Sequence, residues 1–508
     1  MSPKESIEPK QKDRRASQRR FSPLLTDLYQ LTMAQGYWLK GMQNRGAVFH
    51  LFFRQNPFGG GFTVVCGIED AIQYVLDCWF TEEELTYLAS LQGNDGRPLF
   101  RESFLEFLAQ FRFRGHIYGV REGTVVFPHE PLLRVEGGLL ECQLLETGLL
   151  NLIGFPTLVA TKAARVCLAA GGDPVVEFGL RRAQGVNGAM SATRAAYIGG
   201  CVATSNVLAG KEFGIPVRGT HAHSWVQAFG DELTAFRAFA EAMPNNCVLL
   251  VDTYNTLEGV QRAIQVAKEL KAKGGRLVAI RLDSGDLAWL SRQARRMLDE
   301  AGLQEVRIMA SNDLDEYIIA SLKEQKAAID LWGVGTRLVT AFDQPALGCV
   351  YKLGMIEEAD GRWRPCLKLS EESAKVTIPG RQQVRRFLQD GEYIADAIYD
   401  VNRPPIGSWH IVDPADPIRR KRIPDEAEGR DLLHPLVQEG QRVVEPEPLE
   451  HIRERCRTEL ARFHEGIKRF VYPHRYPAGV ERGLFELRQQ LIEELRGNHP
   501  SESVEQLP

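Results

Sequence analysis

The 508-residue sequence predicts an α/β protein in which an irregular, TIM-like barrel of parallel strands follows an α+β region and precedes a helical C-terminal appendage. Three observations carry this. From about residue 175 a unit recurs: a short apolar run, a polar cluster, then an amphipathic helix. The runs are PVVEFG ending at Gly179, IPVRG at Gly219, CVLLVD at Asp252, LVAIRLD at Asp283, VRIMASND at Asp313 and IDLWGVGT at Thr336. Their endpoints lie 40, 33, 31, 30 and 23 residues apart, the length of a strand–helix unit. Runs this apolar are covered on both faces, which makes the sheet mainly parallel. Six such units without a dinucleotide-binding fingerprint favour a closed or nearly closed barrel over an open doubly wound sheet.

The chain is too long for one core and divides into successive segments. Residues 1–20, MSPKESIEPKQKDRRASQRR, lack the apolar stretch of a signal peptide and read as a disordered polar tail. Residues 21–150 form an N-terminal α/β domain. It opens on a helix over TDLYQLTMAQGYWLKG, with Thr26 as cap and Asp27 in the first turn. GGG at 59–61 lacks the GK[ST] of a phosphate-binding loop and is a flexible loop. Residues 80–112 read as helical, and HIYGVREGTVVFPHEPLLRVEGG as short strands. Residues 151–340 are the barrel. Val260, Ala263, Ile264, Ala267 and Leu270 keep helical spacing up to Gly274-Gly275, and Leu287, Leu290, Ala294, Met297, Leu298 and Ala301 do so up to Gly302. Residues 341–400 form a separate segment, and 401–508 are charged, proline-punctuated and then mainly helical.

Bulk chemistry narrows the function classes. A net charge of −4 gives no global field for nucleic acid, so an anionic ligand would be held locally. No run approaches the length of apolar sequence that a membrane span needs. Nine cysteines, odd in number and never spaced as CxxC, argue against a zinc ribbon or disulfide framework and favour reduced, mostly buried thiols in a cytoplasmic protein.

In such barrels ligands lie at the C-terminal strand ends, where loops and helix N-termini converge. Those ends hold Glu177, Phe178 and Arg181; Thr220, His221, His223 and Ser224; Asp252 and Thr253; Arg281, Asp283, Ser284 and Asp286; Ser311, Asn312 and Asp313; Gly333, Gly335 and Thr336. Each alone has a plainer reading: acids and hydroxyls after strands cap helices, and Arg281 with Asp283 could be a weak surface pair. His221 and His223, two apart, would point the same way along a strand and could ligate a metal, yet a catalytic zinc wants a third ligand and none has a recognisable spacing. Together the ends suit a phosphorylated sugar. GVGT offers backbone N–H groups and a hydroxyl to phosphate, Asp252, Asp283 and Asp286 suit ribose hydroxyls or hydrated Mg²⁺, and Arg281 suits a planar carboxylate.

TDLYQLTMAQGY, EFGLRRAQG, GTHAHSW, VDTYNT, RLDSGDL, SNDLDE and GVGTRLVT, in this order, resemble the nicotinate phosphoribosyltransferase family. With LGCVYKL and KLSEESAKVTIPGRQQV the likeness runs from Thr26 to about residue 384. The resemblance implies the type II phosphoribosyltransferase fold, with 341–400 returning to the N-terminal domain, and a homodimer with shared active sites. It implies joining of nicotinate to 5-phosphoribosyl 1-pyrophosphate (PRPP), with ATP hydrolysis coupled and Mg²⁺ required. By position, His223 matches a transiently phosphorylated histidine, while His221 has no implied role. Thr220, Ser224 and Arg281 match the nicotinate side, with Arg281 facing the carboxylate. Tyr29 matches a residue reaching into the partner's site, where it and Phe178 would sandwich the ring. Thr336, Gly335, Gly333, Arg181 and Asp313 fall on the PRPP side, and Asp252 or Asp283 could meet Mg²⁺. Alternatives are a nicotinamide or quinolinate phosphoribosyltransferase, a non-catalytic homologue, or an unrelated barrel aldolase or isomerase. RLDSGD favours a lone carboxylate, and no strand-end lysine supports an aldolase.

Overall fold

A computed structural model describes residues 19–372 and 375–497; the expected polar tail lies outside them except for its last two residues. These two dock: Arg19 pairs with Glu84 and bonds the Trp79 carbonyl at 2.6 Å, and the Arg20 amide donates to Asp77 at 2.9 Å.

The repeated units build one six-stranded sheet in the order Ala203–Thr204, Val175–Glu177, Leu331–Val334, Arg307–Ala310, Leu277–Leu282, Cys247–Leu250. Every pairing is parallel. The sheet curls as a half-barrel whose two edge strands do not pair with each other. Five of the six expected runs are strands. IPVRG is the exception: Val217 makes only an isolated bridge to Thr204, whose short strand takes the sheet position instead. The bridge consists of the Thr204 amide donating to the Pro216 carbonyl at 3.0 Å and the Arg218 amide donating to the Thr204 carbonyl at 2.9 Å, and Pro216, without an N–H, has nothing to donate to a longer ladder.

A seven-stranded sheet lies beside the barrel, and one of its inner strands is Gly46–Phe53. This strand pairs antiparallel with Leu133–Gly138 on one side and with Cys349–Glu357 on the other, so chain from before and after the barrel meets in one sheet. A third sheet holds Gln382–Gln389, Glu392–Asp400, His410–Val412, Arg420–Arg422, Glu428–Asp431 and Ala478–Glu481. This corrects the expected C-terminal organisation. Helices Leu449–Ala461 and Arg482–Gly497 are present, but strands frame the region, and the third sheet runs across the boundary expected at residue 400. Strand Leu433–Gln438 joins the N-terminal sheet through His116–Val120.

Helix Glu146–Ala170 spans 25 residues and is apolar enough to cross a membrane by length and composition, with a mean hydropathy of 1.4 in its richest window. Here it is a core helix. Lys162 and Arg165, fully buried on it, both pair with Glu316, at 2.8 Å each.

Candidate active site

Register decides which side chains share the barrel mouth. Arg281 lies opposite Met309 on one side and Leu250 on the other. Side chains alternate along a strand, so two residues further on Asp283, Ser311 and Asp252 point to that same face. Met309 pairs with Leu331, and Gly333 with Val176, which adds Gly333, Gly335 and Phe178. The apolar strands thus end in a single polar row.

Arg281 is the hub. Its Nε donates to Ser311 Oγ at 2.7 Å, Nη1 to Thr220 Oγ1 at 3.0 Å and Nη2 to Asp283 Oδ1 at 2.8 Å. Ser311 Oγ in turn donates to Asp283 Oδ1. The guanidinium carbon stands 5.6 Å from the centroid of the Phe178 ring. Gly333 makes room for that ring: a Cβ there would sit 2.8 Å from two of its carbons and 3.0 Å from the Met309 methyl. The absence of a side chain at 333 thus gives the aromatic ring its space. Asp252 Oδ2 accepts from the Asp283 amide at 2.9 Å and from Ser284 Oγ at 2.6 Å, while its buried Oδ1 has no hydrogen-bond partner among the described residues.

The two histidines part company. Ala222 is extended, with φ −100° and ψ 168°, and helix His223–Ala228 starts directly after it, so the strand alternation that would align them is broken. His221 turns inward, 7% exposed, against Phe236 and Phe239. Its Nε2 accepts from the Leu250 amide at 3.1 Å, which places its proton on Nδ1, 3.2 Å from the Ala222 carbonyl. Burial, then the nearby Arg281 and His223, hold its pKa below the usual histidine value against the opposing Ala222 carbonyl. Both ring nitrogens are committed, so no metal pair forms; among the described residues no cluster of three His, Cys, Asp or Glu side chains could hold a metal. His223 stays 41% exposed in its side chain, with Nδ1 3.2 Å from Thr253 Oγ1 and Nε2 3.9 Å from Asp283 Oδ2.

The remaining expected residues lie further out. Ser224, Arg181 and Asp313 are exposed, and Thr336 opens the short helix Thr336–Val339 with Gly335 before it. Tyr29 stands 48% exposed on helix Leu28–Leu39. Thr253 and Ser311 were visible as strand-end residues without an assigned task. Their partners lie 28 to 30 residues away, on a neighbouring strand and its end or at the start of a helix, so no local spacing announces them.

An arginine, two carboxylates and hydroxyls around an aromatic ring, with a half-exposed imidazole alongside, have the chemistry to suit a flat, acidic ligand and a polyhydroxylated partner. Comparison with known proteins narrows the class. Residues 24–154, 174–390 and 381–488 match, in turn, the nicotinate phosphoribosyltransferase N-terminal domain, the nicotinate phosphoribosyltransferase family and its C-terminal domain. A nicotinate phosphoribosyltransferase of Bacillus subtilis is 44% identical over 492 residues, covering 95% of this chain and 98% of its own. One of Dictyostelium discoideum is 40% identical, covering 92% and 88%. The crystal structure of human nicotinic acid phosphoribosyltransferase superposes with a TM-score of 0.79 at 30% identity, covering 92% of this chain and 99% of that one. The chain belongs to the nicotinate phosphoribosyltransferase family. It is an enzyme that transfers a phosphoribosyl group to nicotinate, in pyridine nucleotide biosynthesis.

Proposed function

We propose that this site joins nicotinate to PRPP with ATP hydrolysis coupled through a transient phosphohistidine at His223, in a homodimer whose subunits share active sites. The observation that supports the coupling is the setting of His223. With its proton on Nδ1 and donated to Thr253 Oγ1, Nε2 keeps a lone pair, on a side chain that is 41% exposed. That nitrogen attacks the γ-phosphorus of ATP, an N–P bond forms as the P–O bond to ADP breaks, and water later releases phosphate.

The ring of nicotinate lies against Phe178, with its carboxylate on Arg281 beside Thr220 and Ser224. The PRPP side takes Thr336, Gly335, Arg181 and Asp313. The sugar C1 gains positive character as pyrophosphate leaves, and the pyridine nitrogen then closes the bond. The chain contributes position and a preorganised field, while Asp283 and Asp252 face the developing cation. Mg²⁺ fits the oxygen donors present: Asp252 leaves one buried carboxylate oxygen unpartnered and Asp283 is 31% exposed. Bound there with the diphosphate, it would neutralise leaving-group charge. Tyr29 with Leu25, Leu28 and Met33, all exposed, forms an apolar face suited to a second copy of the chain. The reaction suits a cytoplasmic enzyme.

The test is a product assay with PRPP and Mg²⁺, offering nicotinate or nicotinamide with and without ATP. Nicotinate mononucleotide should form faster with ATP, and His223→Ala should lose the stimulation while keeping a basal rate. Wild-type turnover indifferent to ATP, with no acid-labile phosphate on the protein, would refute the coupling. Preference for nicotinamide would refute the role given to Arg281.

A further inference from the structure

We propose that Ser311 is the positioning residue that locks Arg281 for end-on capture of a carboxylate, and thereby sets the preference for the acid over its amide. The inference rests on the reading that Arg281 meets the nicotinate carboxylate. Ser311 is 2% exposed, at the end of the strand Arg307–Ala310, and its amide extends the ladder by bonding the Leu282 carbonyl at 2.9 Å. That register brings its hydroxyl between two groups of the neighbouring strand. It accepts from Arg281 Nε at 2.7 Å and donates its own O–H to Asp283 Oδ1.

The consequence follows from counting donors. A guanidinium has five N–H groups. Ser311, Thr220 and Asp283 take one each from Nε, Nη1 and Nη2. The edge that combines Nε with a terminal nitrogen is therefore spent on the protein. What remains is one N–H on each terminal nitrogen, an end-on fork of fixed direction. A carboxylate fills both prongs with an oxygen. A carboxamide offers one oxygen and one NH₂, and the NH₂ meets an N–H donor head-on, leaving a buried donor unpaired. Without the Ser311 hydroxyl the Nε–H loses its partner and the plane keeps only the Thr220 and Asp283 anchors, so it can tilt and offer Nε–H to a single carbonyl from its side.

The test is steady-state kinetics of Ser311→Ala and of Ser311→Cys, which nearly conserves volume while weakening the hydrogen bonds. Arg281→Ala serves as the reference. Both Ser311 variants should raise the KM for nicotinate about tenfold and lower the nicotinate-to-nicotinamide selectivity by a similar factor, with kcat and the KM for PRPP within about twofold. Unchanged selectivity in a folded Cys variant overturns the proposal. So does an equal fall in kcat with both substrates, which would mark a structural role only. If Arg281→Ala leaves the KM for nicotinate unchanged, the reading of Arg281 itself fails. If Arg281→Ala raises it and the Ser311 variants do not, Ser311 alone is wrong.

Discussion

Gly333→Ala is a one-atom perturbation whose effect can be worked from the structure. The added Cβ would lie 2.8 Å from Phe178 Cδ2 and Cε2 and 3.0 Å from Met309 Cε. Carbon atoms rest about 3.5–4.0 Å apart at best separation, so the ring must retreat by up to about 1 Å. Room behind it is limited, because Phe178 is pinned by its own amide to the Val334 carbonyl at 2.8 Å and faces the Arg281 guanidinium. Overpacking of this kind costs about 1–3 kcal/mol, which part of the ring's displacement relieves. The displacement moves the surface against which a pyridine ring would lie, and misplacement by about 1 Å can cost up to ~100-fold in rate. We expect kcat/KM for nicotinate to fall by roughly 10–100-fold and the melting temperature to drop by a few degrees. The assay is initial-rate kinetics at saturating PRPP alongside calorimetry. Wild-type kcat/KM in a correctly folded variant would refute the placing of Phe178 at the site.

Two further outcomes concern stability. Glu316→Ala leaves Lys162 and Arg165 charged, buried and without their carboxylate, so it should destabilise by about 3–5 kcal/mol in urea titration; a loss under about 1 kcal/mol would show that water or another anion compensates. His221 is a base whose folded pKa is lowered, so the unfolded chain binds its proton more readily. The stability it contributes is present above the unfolded value of about 6.5 and is lost as pH falls toward the folded value. The gap in urea midpoint between wild type and His221→Gln should therefore be widest near pH 7 and narrow as the pH falls to 5. A gap that widens over the same range would reverse the assignment of His221 as a neutral, internally bonded ring.

Much of the parallel sheet was legible because its strands are short apolar runs, and five of the six runs stand where the periodicity puts them. The third sheet was not, because its inward positions carry charge. Arg386, on the strand Gln382–Gln389, is fully buried yet satisfied by Asp396 at 2.6 Å and Glu459 at 2.8 Å. A hydropathy reading registers QQVRRFLQ as polar surface, since it cannot see partners that come from 10 and 73 residues away. The short strand Ala203–Thr204 was missed for another reason: two residues have no period to detect.

The sequence by itself determined which residues stand at five of the six expected strand ends, because a parallel strand must terminate where its apolar run does. It also carried the family likeness, in motifs spread from Thr26 to about residue 384. What only the tertiary structure decided is how those residues are used. His221 and His223 are two apart in sequence and differ in burial and hydrogen bonding because the chain changes from extended to helical between them. Thr253, Ser311 and the donors left on Arg281 are set by register between strands, a distance relation that no single strand encodes.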